Sequence, residues 1–212
     1  FDAFVKHTPQ GLVPWPWHDY GPINLNNAGY TFDMFDSLIS RASQYGSEFA
    51  TGKDFSDRIK AFKNAGLVVS QTGSTITAEV EATKVGKFAL KVSEGSTIQS
   101  VDNWYAYDDN QVLLGNGGGT YTIQLGTPAN DVSHISALPA RGELVSLTGD
   151  GTDLDFVFNG AGKVTIDLKC APTVFTVSGG TNQSALTTPT QLEVTFSEDK
   201  LHASTKVDIT CP

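Results

Sequence analysis

The residues best suited to chemistry lie near the start of the chain, in Val13-Pro14-Trp15-Pro16-Trp17-His18-Asp19-Tyr20-Gly21-Pro22. An imidazole and a carboxylate are adjacent here, flanked by indoles and a phenol. Histidine exchanges its proton near neutral pH, so His18 suits acid–base work. The alternative is that Trp15, Trp17 and Tyr20 plug a core and His18 only hydrogen-bonds. Prolines fix φ and restrict the residue before them, so this stretch is loop and not helix. Loops of this kind carry function when a rigid scaffold holds them.

A second aromatic group is Trp104, Tyr105 and Tyr107. If the segment is a strand, alternation sends Trp104 and Ala106 to one face and Tyr105 and Tyr107 to the other. One face is then core; the other packs as core too, since strands favour aromatics, or stacks on sugar rings. Asp108-Asp109-Asn110 and Asp150-Gly151-Thr152-Asp153 bring the clustered oxygens that calcium takes, although Asp and Gly are equally expected in turns. His7, His134 and His202 are scattered and read as structural or exposed. No serine or cysteine sits in a recognisable nucleophile elbow.

Two helices are expected to precede a long β region. Phe32, Phe35, Leu38, Ile39, Ala42 and Tyr45 recur at three- and four-residue steps, which predicts a helix over 31–45 ended by Gly46. Ser47-Glu48-Phe49-Ala50 reads as an extended link. Thr51 followed by Asp54 reads as a capping box for a second helix with Phe55, Ile59 and Phe62 on its apolar face. From Leu67 the pattern alternates, with turn residues at intervals, as in antiparallel β structure. Strands are expected at 67–71, 75–81, 88–92, 97–101, 104–107, 111–114, 120–125, 132–137, 143–147, 154–158, 163–168, 174–177, 191–196 and 207–209. Turns are expected at Gly115–Gly119, Gly149–Gly151 and Asn159-Gly160. The fold class is therefore mainly β, an antiparallel β-sandwich behind a small helical segment. The expected organisation is 1–66, a helical and aromatic segment; 67–169, the β-sandwich; and 170–212, a short β appendage. Two helices cannot bury a core alone, so the first segment must pack on the β module or on further protein.

The chain has 212 residues, 39% hydrophobic and 17% charged, with a net charge of −9. That composition folds, and the acidity argues against nucleic acid, which needs clustered Lys and Arg. A neutral or cationic partner such as a sugar polymer stays open. No apolar run approaches the roughly 20 residues of a membrane span. The start at Phe1-Asp2-Ala3-Phe4, without Met or signal peptide, reads as a mature or trimmed fragment. Cys170 and Cys211 lack metal-like spacing. In an exported protein they would pair, closing a loop worth up to about 4 kcal/mol in the chain-entropy model. Two buried thiols are the alternative. Low charge and many Ser, Thr and Gly residues favour a secreted, periplasmic or cell-surface location. Asn182-Gln183-Ser184 is a glycosylation sequon, meaningful in a eukaryotic secretory setting.

The sequence Ser47-Glu48-Phe49-Ala50-Thr51-Gly52-Lys53-Asp54-Phe55-Ser56-Asp57-Arg58-Ile59, behind a His-bearing loop and a helix, resembles the end of a polysaccharide deacetylase catalytic domain of the NodB-homology type. Val101-Asp102-Asn103-Trp104-Tyr105-Ala106-Tyr107 and Leu138-Pro139-Ala140-Arg141-Gly142-Glu143-Leu144 are similar to β modules that follow such domains in large secreted members. The likeness covers about residues 9 to 169. It implies metal-dependent removal of N-acetyl groups from a polysaccharide, in a distorted (β/α) barrel of which the two helices are the end. Trp17-His18-Asp19 matches the family's late His motif. The resemblance thus implies His18 as general acid, Asp19 as its partner, and Trp15, Trp17 and Tyr20 as pocket walls, with Trp104, Tyr105 and Tyr107 as candidate sugar contacts. It also implies a divalent metal, zinc above all, held in the parent by one Asp and two His. The one Asp-Asp pair, Asp108-Asp109, lies in the β region and no His-x-x-x-His triplet is present, so the ligands are expected in an upstream catalytic segment and none on this chain. The alternative is a non-catalytic carbohydrate-binding β-sandwich of a cell-surface or matrix protein.

Overall fold

The computed structural model describes residues 2, 13, 31–45, 47–129, 131–140, 142–179 and 182–212. The chain divides into two compact units, Phe1–Phe49 and Ala50–Pro212. In the first, α1 runs over Phe32–Gln44. Its N-cap Thr31 accepts a hydrogen bond from the Met34 N–H at 3.2 Å, satisfying one of the orphan donors of the first turn. In the second unit, α2 spans Gly52–Lys63 behind a full capping box. Asp54 N–H donates to Thr51 Oγ1 at 3.1 Å, and Thr51 N–H donates back to Asp54 Oδ2 at 2.9 Å. None of the α2 residues is buried, so its apolar face of Phe55, Ile59 and Phe62 is exposed.

The rest of this unit is mainly β and antiparallel, as expected. One sheet orders its strands β1-β2-β6-β4: Gly66–Thr72, Thr75–Glu81, Gly118–Leu125 and Ile98–Asp102. A small pair joins β3, Ala89–Lys91, to β5, Gln111–Leu113. The larger sheet is built on β9, Asp153–Asp167, and has the path β10-β13-β9-β12-β11. These strands are Val174–Ser178, Thr205–Thr210, β9 itself, Gln191–Leu201 and Asn182–Thr188. β7, His134–Ala137, and β8, Glu143–Gly149, also pair with β9.

Each sheet has its own apolar cluster. Val80, Ile98, Val101, Tyr121 and Ile123 anchor the first. Leu154, Phe156, Phe158, Val164, Ile166, Val194, Phe196 and Val207 anchor the second. Trp104 packs against both clusters. Its indole N–H donates to the Leu113 carbonyl at 2.8 Å, and its ring meets Tyr121 edge-on at 5.4 Å.

Three expectations need correction. Residues 104–107 are not a strand; only Ala106 and Tyr107 make isolated bridges, to Ile135 and Val112. Asn159-Gly160 is no turn, because β9 runs straight through it. Gly160 and Gly162 adopt φ of 134° and 124° there, opposite a register shift in β12 between Phe196 and Lys200. Glycine in a strand marks a bulge as readily as a turn. Residues 170–212 also share the β9 sheet and core. Within them β11 follows no expected strand, its polar Asn, Gln, Ser and Thr giving no apolar alternation. The disulfide expectation holds: Cys170 and Cys211 are bonded, with Cα atoms 5.9 Å apart.

Candidate functional site

Trp15, Trp17, His18, Asp19 and Tyr20 lie outside the described residues, as does His7. The site that the described residues build is elsewhere, on the β unit.

His134 opens β7, directly opposite Asp167 at the end of β9. Opposed residues of an antiparallel pair share a face, so carboxylate and imidazole point the same way. Only 6% of His134 is exposed. Its ring stacks on Tyr107, with centroids 4.1 Å apart and planes 2° from parallel. Nδ1 lies 3.2 Å from the Val132 carbonyl. A carbonyl only accepts, so Nδ1 carries the proton and Nε2 of the neutral ring holds a lone pair. Nε2 has no hydrogen-bond partner among the described residues. Burial pushes the His134 pKa below its ordinary 6.5, against the upward pull of the Val132 carbonyl, Asp167, Asp109 and Asp108.

Asp108 shapes the neighbouring wall. Its Oδ1 accepts from the backbone N–H of Asn110 at 2.7 Å and of Gln111 at 2.9 Å, and its Oδ2 accepts from Gln111 Nε2. This is an Asx turn, and it consumes the carboxylate. It leaves Asp109 at the tip, its carbonyl accepting from Ile98 N–H at 2.8 Å and its carboxylate without a hydrogen-bond or ion-pair partner among the described residues. Together with Gln99 and Ile98 of β4, Pro128 and Ala129 after β6, and Asn110, these groups enclose an open cleft of about 340 Å³. It lies where the two sheets meet. Asp167 gives one oxygen to Gln191 Nε2 at 2.9 Å and keeps the other.

The aromatic segment does not form the outward sugar-stacking face that alternation suggested. Tyr107 is only 3% exposed, its ring covered by His134 and its hydroxyl without a partner among the described residues. Burial first, then Tyr105 and Asp131, push the phenol up to about 12. Trp104 and Tyr105 are half-buried and pack against the β9 cluster. Alternation failed because the segment leaves strand geometry just before the Asx turn. From sequence His134 reads as structural or exposed. The available signal was its place in an alternating segment, but its pairing with Asp167 is set by tertiary register and leaves no local mark.

The Asp150 loop is another Asx turn. Asp150 Oδ1 accepts from Thr152 N–H at 2.7 Å and Asp153 N–H at 3.3 Å. These bonds, Thr152's first, hold Asp150 down at about 2. His202 is structural: buried among Phe158 and Phe196, its Nε2–H donates to the carbonyls of Gly160 and Glu198, both at 2.9 Å, across the β12 bulge.

Among the described residues no three His, Cys, Asp or Glu side chains group so as to hold a metal ion. The described residues therefore supply no site for the divalent metal that the deacetylase resemblance implies, whose ligands that resemblance places in an upstream segment. No helix among the described residues is long and apolar enough to cross a membrane. No protein-family model, curated protein or solved structure matches the chain.

Proposed function

We propose that the chain is part of a secreted carbohydrate esterase that removes N-acetyl groups from a polysaccharide. In this reading α1, the link at 47–50 and α2 close a catalytic domain, and the β unit follows it. The supporting observation is α2. Its Thr51–Asp54 capping box starts the helix where the resemblance requires, and Phe55, Ile59 and Phe62 are 42%, 42% and 69% exposed. Three large apolar side chains on one face of a capped helix suit a surface made to lie against more protein. An upstream catalytic segment carrying the metal ligands fills that role. His18, with Asp19 beside it, then delivers a proton to the departing amine, while Trp15, Trp17 and Tyr20 line the pocket. The disulfide agrees with an oxidising, extracytoplasmic setting.

The test is acetate release from N-acetylglucosamine oligomers by the full-length gene product. His18→Ala should lower kcat by about 100-fold or more, the usual scale for a general acid. Absence of acetate release from the unmodified protein overturns the esterase reading; unchanged turnover in the variant removes His18 from it.

A second reading has its own support in the His134 cleft: the β unit serves as a carbohydrate-binding module, with or without catalysis. Its test is glycan binding by the present chain, which carries no complete metal motif in its sequence.

A further inference from the structure

The charged groups that line the His134 cleft are all acceptors, and the Gln99 and Asn110 amides and the Tyr107 hydroxyl, which can also donate, complete its polar lining. The Asp109 carboxylate is uncommitted, and Asp167 has one oxygen free beyond its bond from Gln191. His134 is more than nine-tenths buried, lines the cleft, and carries a lone pair on an Nε2 that finds no donor among the described residues. Asp108 adds negative charge although its oxygens are occupied. Among the described residues no Lys or Arg lines the cleft. These acceptors open onto the cleft, and a bound molecule that supplies N–H or O–H groups can take the place of water on them. A metal ion is a poor candidate, because these side chains do not converge as ligands.

We propose that this cleft binds the protonated amine and adjoining hydroxyls of a deacetylated amino-sugar unit. The choice of sugar rests on the polysaccharide reading above; the need for a cationic, donor-rich ligand rests on the cleft itself. An ammonium brings three N–H donors and a positive charge, and sugar hydroxyls bring further donors. Carboxylate acceptors strengthen such bonds. N-acetylation removes the charge and leaves one N–H, so the acetylated unit loses the features the cleft selects. On a polysaccharide esterase, the site holds the product polymer and leaves acetylated stretches free for the reaction. The cleft volume of about 340 Å³ falls within the range of small-molecule sites.

The experiment titrates the 212-residue chain with glucosamine tetramer and, separately, with N-acetylglucosamine tetramer, by calorimetry and amide NMR. Glucosamine tetramer should bind with amide shifts centred on Asp109, His134 and Asp167. The acetylated tetramer should bind at least tenfold more weakly. Asp109→Asn, which changes an exposed carboxylate and leaves the backbone bond from Ile98 intact, should weaken binding of the amine form about tenfold. Adding Asp167→Asn, which keeps an oxygen for Gln191 to donate to, should abolish it. Raised salt should weaken binding, as for any partly exposed charge pair. Equal binding of the two tetramers overturns the proposal. So does no binding of the glucosamine form, or binding that Asp109→Asn leaves unchanged. Acetate release by the full-length protein is a separate readout, so failure of the esterase reading is told apart from failure of the cleft.

Discussion

β9 and β1 are both strands of the same compact unit, yet they are held very differently. β9 spans 15 residues, pairs with β7, β8, β12 and β13, and buries alternate side chains along its length. β1 spans 7 residues, pairs with β2 alone, and leaves all of them exposed, Leu67, Val68 and Val69 included. The hydrogen-bond ladder is of the same kind in both. What differs is apolar area removed from water, at about 25 cal/mol per Å². Hydrogen bonds within a ladder contribute only about 1 kcal/mol net each, so burial decides which strand anchors the unit.

The largest effect should therefore come from β9. Phe158 is fully buried and packs on Phe196, with ring centroids 4.7 Å apart. Phe158→Ala removes that contact and opens a cavity, so it should lower unfolding free energy by about 3–5 kcal/mol. Val69→Thr on β1 should shift it by no more than about 0.5 kcal/mol, as for surface positions generally. Urea midpoints at unchanged slope measure both. Comparable losses from the two variants would break the contrast, and would mean that β1 is covered in solution.

Next comes the covalent tie. Cys170 follows β9 and Cys211 follows β13, which pairs with β9, so the bond closes a 41-residue separation around the anchored sheet. Replacing both cysteines by serine should cost about 2–4 kcal/mol, largely by freeing the unfolded chain. The midpoint of thermal unfolding, with the wild type in oxidised and reduced form as controls, reports it. A loss near zero would show that the β9 sheet holds its last strands by packing alone.

The same contrast explains how much was readable in the sequence. β2, β6 and β12 were legible because buried positions recur at every second residue along part of each. The α2 start was legible because a capping box is a local device, complete in Thr51 and Asp54. β11 was not, since an edge strand that buries little needs no apolar pattern. Asn159-Gly160 reads as a turn for a related reason. The chemistry of a glycine is the same in a turn and in a bulge, and only the Phe196–Lys200 register shift opposite decides which it is. The cleft was the least legible part. Gln99, Asp109, His134 and Asp167 come from four separate places in the chain, and no spacing rule links them. The aromatic trio next to them reads in sequence as core or as a sugar-stacking face, and the burial of Tyr107 agrees with core.

The smallest expected effect concerns pH and tests whether the boundary between the two sheets is as closed as the β9 core. His134 sits at that boundary, and burial lowers its pKa below 6.5. Above about 6.5 the imidazole is neutral in both folded and unfolded chains, so the fold loses nothing. As pH falls below that value the unfolded chain takes up the proton first, while the folded chain resists. The unfolded state then binds more protons, and stability declines until pH has dropped through the lowered folded value. The charged groups that face the ring are Asp108, Asp109 and Asp167, and each limits the loss by favouring the imidazolium. His134→Gln removes the titrating group and should flatten this part of the profile. The measurement is the difference in urea midpoint between wild type and variant, followed from about pH 7 to pH 5. A difference that grows on acidification supports a desolvated ring wedged between the sheets. A constant difference would mean that water reaches His134 freely, and that the junction is looser than the core built on β9.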